Sequence, residues 1–141
     1  MPCKMGEYEV AYDRIKDRYE GMVNADYSTL WENWIKKDGT SNHAWTGGPL
    51  VIMSKHIAGI RPVNAGYEKV EINPQYELHN SISCTVPTIK GYINFDYRNE
   101  NGKRVINLEY PENMETFLHI PENAVVTVNG KFVESVIQNI C

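Results

Sequence analysis

The sequence has few cysteines, no long apolar run and no excess of positive charge, and each absence excludes a class of protein. The three cysteines, Cys3, Cys84 and Cys141, are widely separated, which fits neither a disulfide framework nor the spacing of metal ligands. We therefore expect free thiols. No apolar stretch is long enough to cross a bilayer, and residues 1–4 lead into a polar helical pattern where a signal peptide would be apolar. The net charge of −4 favours neither a nucleic acid nor an anionic membrane as a partner.

Motifs of the common catalytic and cofactor-binding classes are also missing from the sequence. His56, His79 and His119 are too dispersed to form a metal site, and there is no phosphate-binding glycine loop. No Ser-His-Asp arrangement and no nucleophile elbow can be assembled. We therefore predict that the chain binds no metal and no cofactor.

An apolar stripe in residues 5–23 recurs at alternating spacings of four and three residues, which predicts an amphipathic helix. The stripe is formed by Tyr8, Tyr12, Ile15, Tyr19 and Met22. Gly21 and Asn24 suit the end of this helix. Because one helix alone cannot bury so many tyrosine rings, we expect the stripe to pack against a substantial partner surface.

A second, shorter helix is predicted to begin at Pro49, because proline favours the first turn of a helix. Leu50, Met53, Ile57 and Ile60 would share one face, and the residues between them make the helix apolar on nearly all sides. We therefore expect this helix to be buried. Gly59 is a candidate C-cap, and Pro62 would stop the helix.

After Pro62 the pattern changes to short runs in which apolar and polar residues alternate, which is typical of β-strands. Asn101-Gly102 and Asn129-Gly130 are hairpin signals. Seven or eight short strands at regular spacing predict an antiparallel β-sandwich. The predicted fold class is therefore α+β, with helices in residues 1–62 and the sandwich in residues 63–141.

All three tryptophans lie between residues 29 and 62, and Glu32 lies between Trp31 and Trp34. In one interpretation, Glu32 is a surface residue on an amphipathic turn and the indoles belong to the core. In the other, Glu32 is a general base that activates water, with its basicity tuned by the apolar indoles. The spacing alone does not decide between these interpretations.

His43 lies between Asn42 and Trp45, just before a Gly-Gly-Pro turn. A lone histidine is more often structural than catalytic, and the glycine pair can be simply a tight entry into the helix. A neutral sugar would also suit this site. Its hydroxyls would bond to the imidazole and the amide, and the indole would lie against the apolar face of the sugar ring.

Taken together, several segments resemble the C-terminal end of the bacterial α-L-rhamnosidases. They include Leu30-Trp31-Glu32 and Asn42-His43. The resemblance covers nearly the whole chain, and the segments follow one another in the order and at the spacing found in that family. The segments are residues 5–8, 14–15, 29–32, 41–49, 58–62, 66–70, 72–75, 88–93 and 125–130.

The resemblance implies a catalytic barrel of six helical hairpins, (α/α)6, followed by a C-terminal β-sandwich. Residues 1–62 would be the terminal helices of that barrel, which is incomplete in this chain. Members of the family hydrolyse terminal α-L-rhamnosides with inversion, so the implied partner is a rhamnose-containing glycan or glycoside. By resemblance, the general base is Glu32, and the substrate-binding residues are His43, Trp31, Trp34, Trp45 and Asn42.

The resemblance also implies that the general acid of the family lies upstream, in a part of the barrel that this chain does not contain. Inverting hydrolysis needs two carboxyl groups about 6.5–9.5 Å apart, so we expect the chain alone to be inactive. Helices that lack their barrel neighbours would expose apolar faces, which favours self-association. The resemblance implies a bacterial protein and leaves a periplasmic or a cytoplasmic location open.

Two other interpretations remain open at this point. The chain can be a stand-alone carbohydrate-binding or interaction module built on the β-sandwich. It can also belong to a glycosidase with the same type of barrel that acts on a different sugar, because the determinants of the sugar would lie upstream.

Overall fold

The computed structural model describes residues 6–35 and 39–133, and the structural statements below concern these residues. The chain divides between Met53 and Ser54 into two compact units. The N-terminal unit is helical and irregular, and the C-terminal unit consists mainly of β-strands. This composition confirms the α+β fold class. Among the described residues, no helix combines the length and the apolar character that crossing a bilayer requires.

The first helix, α1, spans Tyr8–Val23, as the spacing of the apolar stripe predicts. Its end is also as predicted, because the backbone N–H of Asn24 donates to the carbonyl oxygen of Glu20 at 3.0 Å. Met22 at the end of the stripe is buried, and Tyr19 is partly buried. The helix therefore turns its tyrosine-rich face inward and its charged face to solvent.

The second helical segment is shorter and more exposed than the sequence predicts. A 3₁₀ turn, Ala44–Gly47, leads into helix α2, Gly48–Ile52, and a π-helical turn, Met53–Ile57, follows. The expected burial is wrong for most of this segment, since Leu50 is 70% exposed while Ile57 is 5% exposed. The physical reason is that apolar composition alone does not bury a helix, because burial requires another element to pack against it.

The described part of the C-terminal unit contains eight strands. They are β1 Ile60–Pro62, β2 Lys69–Ile72, β3 Ser81–Thr88, β4 Gly91–Glu100, β5 Lys103–Glu109, β6 Glu115–Leu118, β7 Ala124–Val128 and β8 Lys131–Val133. Strand β1 replaces the end of the second predicted helix. The predicted strand region beyond β8, and also Cys3 and Cys141, lie outside the described residues. Cys84 is a free thiol, as predicted.

The strands form two sheets, a smaller one in the order β1-β2-β6 and a larger one in the order β3-β4-β5-β7-β8. Most neighbouring strands are antiparallel, as predicted, but β2 pairs with β6 and β5 pairs with β7 in parallel. The chain leaves the larger sheet after β5, adds β6 to the smaller sheet and returns as β7. The chain reverses direction once between β5 and β6 and again between β6 and β7, so β5 and β7 run in the same direction.

Both predicted hairpins are confirmed. Asn101 and Gly102 connect β4 to β5 with φ angles of 54° and 85°. Asn129 and Gly130 connect β7 to β8 with φ angles of 47° and 76°. Positive φ at both central residues is the geometry whose twist matches the flanking strands, and Asn-Gly adopts it at the lowest cost.

One hydrophobic core lies between the inner faces of the two sheets, which gives the C-terminal unit a sandwich-like architecture. Inward-facing residues of β1 to β7 contribute to the core, and each fully buried apolar side chain stabilises the fold by about 1.5–3 kcal/mol. The largest buried side chains are those of Tyr97, Phe95, Ile72, Ile93, Ile106, Leu108, Val70 and Val126.

Candidate active site

The segment that contains Glu32 and the segment that contains His43 lie side by side in the N-terminal unit. The backbone N–H of Glu32 donates to the carbonyl oxygen of Thr40 at 3.1 Å, and the N–H of His43 donates to that of Leu30 at 3.2 Å. These two bonds act across the intervening loop. They bring together the two residues that the sequence singles out as base and sugar ligand.

Thr40 connects the side chains of these two residues. Its backbone N–H and its hydroxyl both reach Oε2 of Glu32, at 2.9 and 3.3 Å. The same hydroxyl lies 3.0 Å from Nδ1 of His43, and that nitrogen is 3.7 Å from the carboxylate oxygen. When Nδ1 carries a proton, His43 donates to Thr40, and Thr40 in turn donates to Glu32.

Sequence reasoning missed Thr40, which it assigned to a turn-rich loop. It also missed the preceding residue, Gly39, which has a φ angle of 103°. A Cβ atom at Gly39 would lie 2.7 Å from Nδ2 of Asn33 and 3.0 Å from Oε2 of Glu32. A glycine therefore lets the loop approach the carboxylate closely. The only sequence signal for this role is the turn-forming dipeptide that ends in Gly39.

The surroundings of Glu32 hold the pKa of its carboxyl group below the ordinary value of 4.5. The main cause is the hydrogen bond from the backbone N–H of Thr40, and partial burial opposes it. The positive charge of His43 and the Thr40 hydroxyl lower the pKa further. Burial by apolar neighbours would raise this pKa, and the contributions of Thr40 and His43 outweigh it. Glu32 is an ionised carboxylate at neutral pH.

Trp45 lies beside the candidate site. Its indole packs on the ring of His43 with 4.3 Å between the ring centres and a tilt of 36°. The side chain of Trp45 is 69% exposed, so much of its indole surface is available to a ligand. Asn42 is also exposed, and its main-chain carbonyl oxygen lies 3.3 Å from the Thr40 hydroxyl.

The other two tryptophans make edge-to-face contacts with tyrosines. Trp31 is buried against Tyr27, with ring centres 5.7 Å apart. Trp34 packs on Tyr19 of helix α1, with ring centres 5.1 Å apart, and remains 53% exposed. These contacts attach the segment around Glu32 to aromatic rings of its own unit.

Helix α1 also supports the turn that follows His43. The Tyr19 hydroxyl donates to the carbonyl oxygen of Thr46 at 3.0 Å, and burial raises the pKa of this phenol. The buried Thr46 in turn donates to the His43 carbonyl oxygen from both its hydroxyl, at 2.6 Å, and its N–H, at 3.2 Å. The helix therefore holds His43 in place through Thr46.

The chemistry that this arrangement offers is that of a single ionised carboxylate beside an imidazole and an exposed indole. Elsewhere in the described parts of the chain, no three His, Cys, Asp or Glu side chains are grouped as metal ligands would be. Such a site can accept a proton from water and can hold the hydroxyls of a neutral ligand.

Comparison with known sequences places the C-terminal unit in a family. The family described as "Bacterial alpha-L-rhamnosidase C-terminal domain" matches residues 59–133. An alpha-L-rhamnosidase of Streptomyces avermitilis is 27% identical over 92% of this chain, and one of Formosa agariphila is 28% identical over 84%. In both cases the chain spans 14% of the length of the relative.

Solved structures give a consistent picture. A GH78 family rhamnosidase of Bacillus sp. GL1 matches 90% of this chain with a TM-score of 0.73 and 26% identity, over 15% of its own length. The Streptomyces avermitilis alpha-L-rhamnosidase, solved in complex with L-rhamnose, matches 85% with a TM-score of 0.65, over 13% of its own length. At 24% identity, this second match shows a common fold. The chain therefore belongs to the bacterial α-L-rhamnosidase C-terminal domain family, and it represents a C-terminal portion of such a protein.

Proposed function

We propose that this chain forms the C-terminal part of an enzyme that hydrolyses terminal α-L-rhamnosides with inversion, and that Glu32 is its general base. The observation that carries the proposal is the arrangement of Glu32, Thr40 and His43 in a chain of this family. Because the chain spans 14% of the length of its curated relatives, the proposed activity is that of the larger protein.

The hydrogen bonds at Glu32 suit the role of a base. All those that it accepts from the described residues fall on Oε2, so Oε1 is the oxygen that can take a proton from water. The group is ionised at neutral pH, which is the form that a general base requires, and its lowered pKa makes it a weaker base than a free glutamate. The Thr40 bonds also fix the orientation of the carboxylate.

His43 and Trp45 supply the proposed contacts with the sugar. Nδ1 of His43 faces Thr40, so Nε2 is the nitrogen that would reach a rhamnose hydroxyl. The exposed indole of Trp45 offers a flat surface for the apolar face of the sugar ring, and the exposed Asn42 and Trp34 would line the same pocket. Trp31 is buried, and we assign it the role of holding the adjacent Glu32 in position.

The N-terminal unit supports a place at the end of a helical barrel. Several of its large apolar side chains are exposed, and preceding helices of the barrel would cover them in the whole enzyme. They include Val23 (73% exposed), Ile35 (69%), Leu50 (70%) and Val51 (57%). In the isolated chain, the same surface favours self-association, which light scattering would detect as a mass above that of a monomer.

The experiment that tests the proposal is Glu32→Gln in the whole enzyme, assayed by turnover of an aryl α-L-rhamnoside. Loss of the base should lower turnover by at least about 10²–10⁴-fold, while calorimetry should show that rhamnose binding is retained. Glu20→Gln, at an exposed position of α1, is the matched control and should keep full activity. An active Glu32→Gln enzyme would refute the assignment of the base.

Two further measurements test the rest of the proposal. Proton NMR of the first sugar released by the whole enzyme should show an inverted anomeric configuration. The isolated chain should release no product from the same aryl rhamnoside, because the second carboxyl group that inversion needs lies upstream in the family. Robust hydrolysis by the isolated chain would contradict this second expectation.

A further inference from the structure

The outer face of the larger sheet in the C-terminal unit carries a polar groove of about 220 Å³. Six polar side chains from the outward-facing positions of β3, β4 and β5 line it. They belong to Ser83, Thr85, Asn94, Asp96, Asn107 and Glu109. None of these residues takes part in the candidate active site, and all belong to the C-terminal unit.

The strand register arranges these side chains in two parallel rows across the sheet. One row consists of Ser83, Asp96 and Asn107, and the other consists of Thr85, Asn94 and Glu109. Side chains directly opposite each other on neighbouring strands lie about 4.5–5.5 Å apart. The groove therefore presents hydroxyl, amide and carboxylate groups at closely spaced positions.

Bonds within the groove orient these groups before any ligand binds. The Thr85 hydroxyl donates to Oδ1 of Asn94 at 3.0 Å, and Nδ2 of Asn94 is 3.2 Å from Oε2 of Glu109. Arg98 pairs with Asp96 at 3.2 Å along the same strand. Because two carboxylates and one guanidinium leave the groove slightly negative, an anionic ligand would be repelled.

Two exposed aromatic rings lie on this same face, where a solvated sheet surface would carry polar residues. Tyr92 is 65% exposed and precedes Asn94 by two positions on β4, so both face outward. Phe132 is also 65% exposed and pairs with Thr127, which pairs with Asn107. Tyr92 therefore flanks the polar rows along strand β4, and Phe132 flanks them across the sheet on β8.

We propose that this groove binds a neutral pyranose unit of a glycan chain. Neighbouring donors and acceptors match the hydroxyls of a sugar, and an exposed ring matches the apolar face of the next unit. The row from Ser83 to Phe132 crosses five strands, which corresponds to about 19 Å, so the surface can contact more than one sugar unit. The inference does not depend on the proposed role of Glu32.

The test is an NMR titration of the full chain, using amide resonances, with two neutral saccharides, rutinose and cellotriose, and with anionic trigalacturonate. We expect at least one neutral saccharide to shift the resonances of Asn94 and Asn107, and trigalacturonate to have no effect on them. Asn107→Ala and Tyr92→Ala should each weaken binding about three- to tenfold, the share of one hydrogen bond or ring contact.

Three control variants make the result specific. Asn113→Ala, an exposed asparagine outside the groove, should leave binding unchanged. Asn107→Asp keeps the size of the side chain and should still weaken binding, which excludes a folding defect of the alanine variant. His43→Ala should leave the groove shifts unchanged, so failure of the proposed catalytic site and failure of the groove are distinguishable. The inference is overturned if neither neutral saccharide shifts these resonances, or if the shifts persist in Asn107→Ala and Tyr92→Ala.

Discussion

Replacing Gly59 with alanine should severely destabilise the C-terminal unit. Gly59 has a φ angle of 69°, and a Cβ atom there would lie 1.9 Å from the carbonyl oxygen of Asn73 and 2.8 Å from the nitrogen of Pro74. These are backbone atoms and cannot move aside as a side chain can. Two backbone hydrogen bonds hold them in place, from Asn73 to Gly59 at 3.1 Å and from Gln75 to Ile57 at 2.9 Å.

The expected loss follows from these contacts. Alanine at positive φ costs about 1–2 kcal/mol, and separating the two backbones breaks two hydrogen bonds worth about 0.5–1.5 kcal/mol each. The loss is thus about 2–5 kcal/mol, a large part of the roughly 5–15 kcal/mol that stabilises a typical domain. Displacement of the neighbouring Ala58 and Ile60, which are 1% and 2% exposed, would add to it.

Native-state hydrogen exchange of the β4 amides, such as those of Phe95 and Tyr97, measures the opening free energy of this unit. The matched control is Gly102→Ala, where φ is 85° but nothing lies within 4 Å of the added Cβ. Gly102→Ala carries only the cost of placing alanine at positive φ. Gly59→Ala should therefore lower the opening free energy by at least about 1 kcal/mol more than the control does. Equal losses in the two variants would refute the argument from close approach.

The remaining predictions concern Glu32. Thr40→Val should raise the pKa of Glu32, because it removes the hydroxyl bond, but the pKa should stay below 4.5 because the larger backbone contribution remains. Titration followed by the carbon-13 resonance of the Glu32 carboxyl group measures this pKa, with Thr127→Val as the control. The prediction is contradicted if the pKa of Glu32 is unchanged in Thr40→Val, or if it also rises in Thr127→Val. Because the folded pKa lies below the unfolded one, Glu32 stabilises the N-terminal unit above about pH 4.5, and that contribution is lost as the pH falls through the folded pKa. Urea unfolding followed by tryptophan fluorescence should therefore show acid destabilisation below that pH, and the same acid dependence in Glu32→Gln would exclude Glu32 as its source.

Much of the candidate site could be predicted from local sequence and from resemblance to a family. The segments around Glu32 and His43 were predicted to form one site, and the structure places their side chains 3.7 Å apart. The two residues that complete the arrangement, Gly39 and Thr40, carry no local pattern that distinguishes them from ordinary loop residues. Their role depends on which segment the loop folds against, and that is a property of tertiary packing.

The exposed helix α2 shows a second limit of sequence reasoning. The apolar composition of Gly48–Ile52 correctly indicates a surface that needs covering, but composition does not say which element covers it. Burial depends on a partner surface, and several large apolar side chains of this unit are exposed in the described chain. A pattern of hydrophobic residues thus predicts that a surface is apolar, but it does not predict which element packs against that surface.

In the β-sheets, the local sequence determines some features and the tertiary structure determines others. The sequence by itself determined which residues of each strand face the core, because side chains alternate with a period of two, and it determined the two Asn-Gly hairpins, because few dipeptides accept positive φ twice. Only the tertiary structure decided that β6 joins β2 and that β7 joins β5 in parallel. Alternation assigns a strand its faces but not its neighbours, and the neighbours follow from how two sheets close around one core.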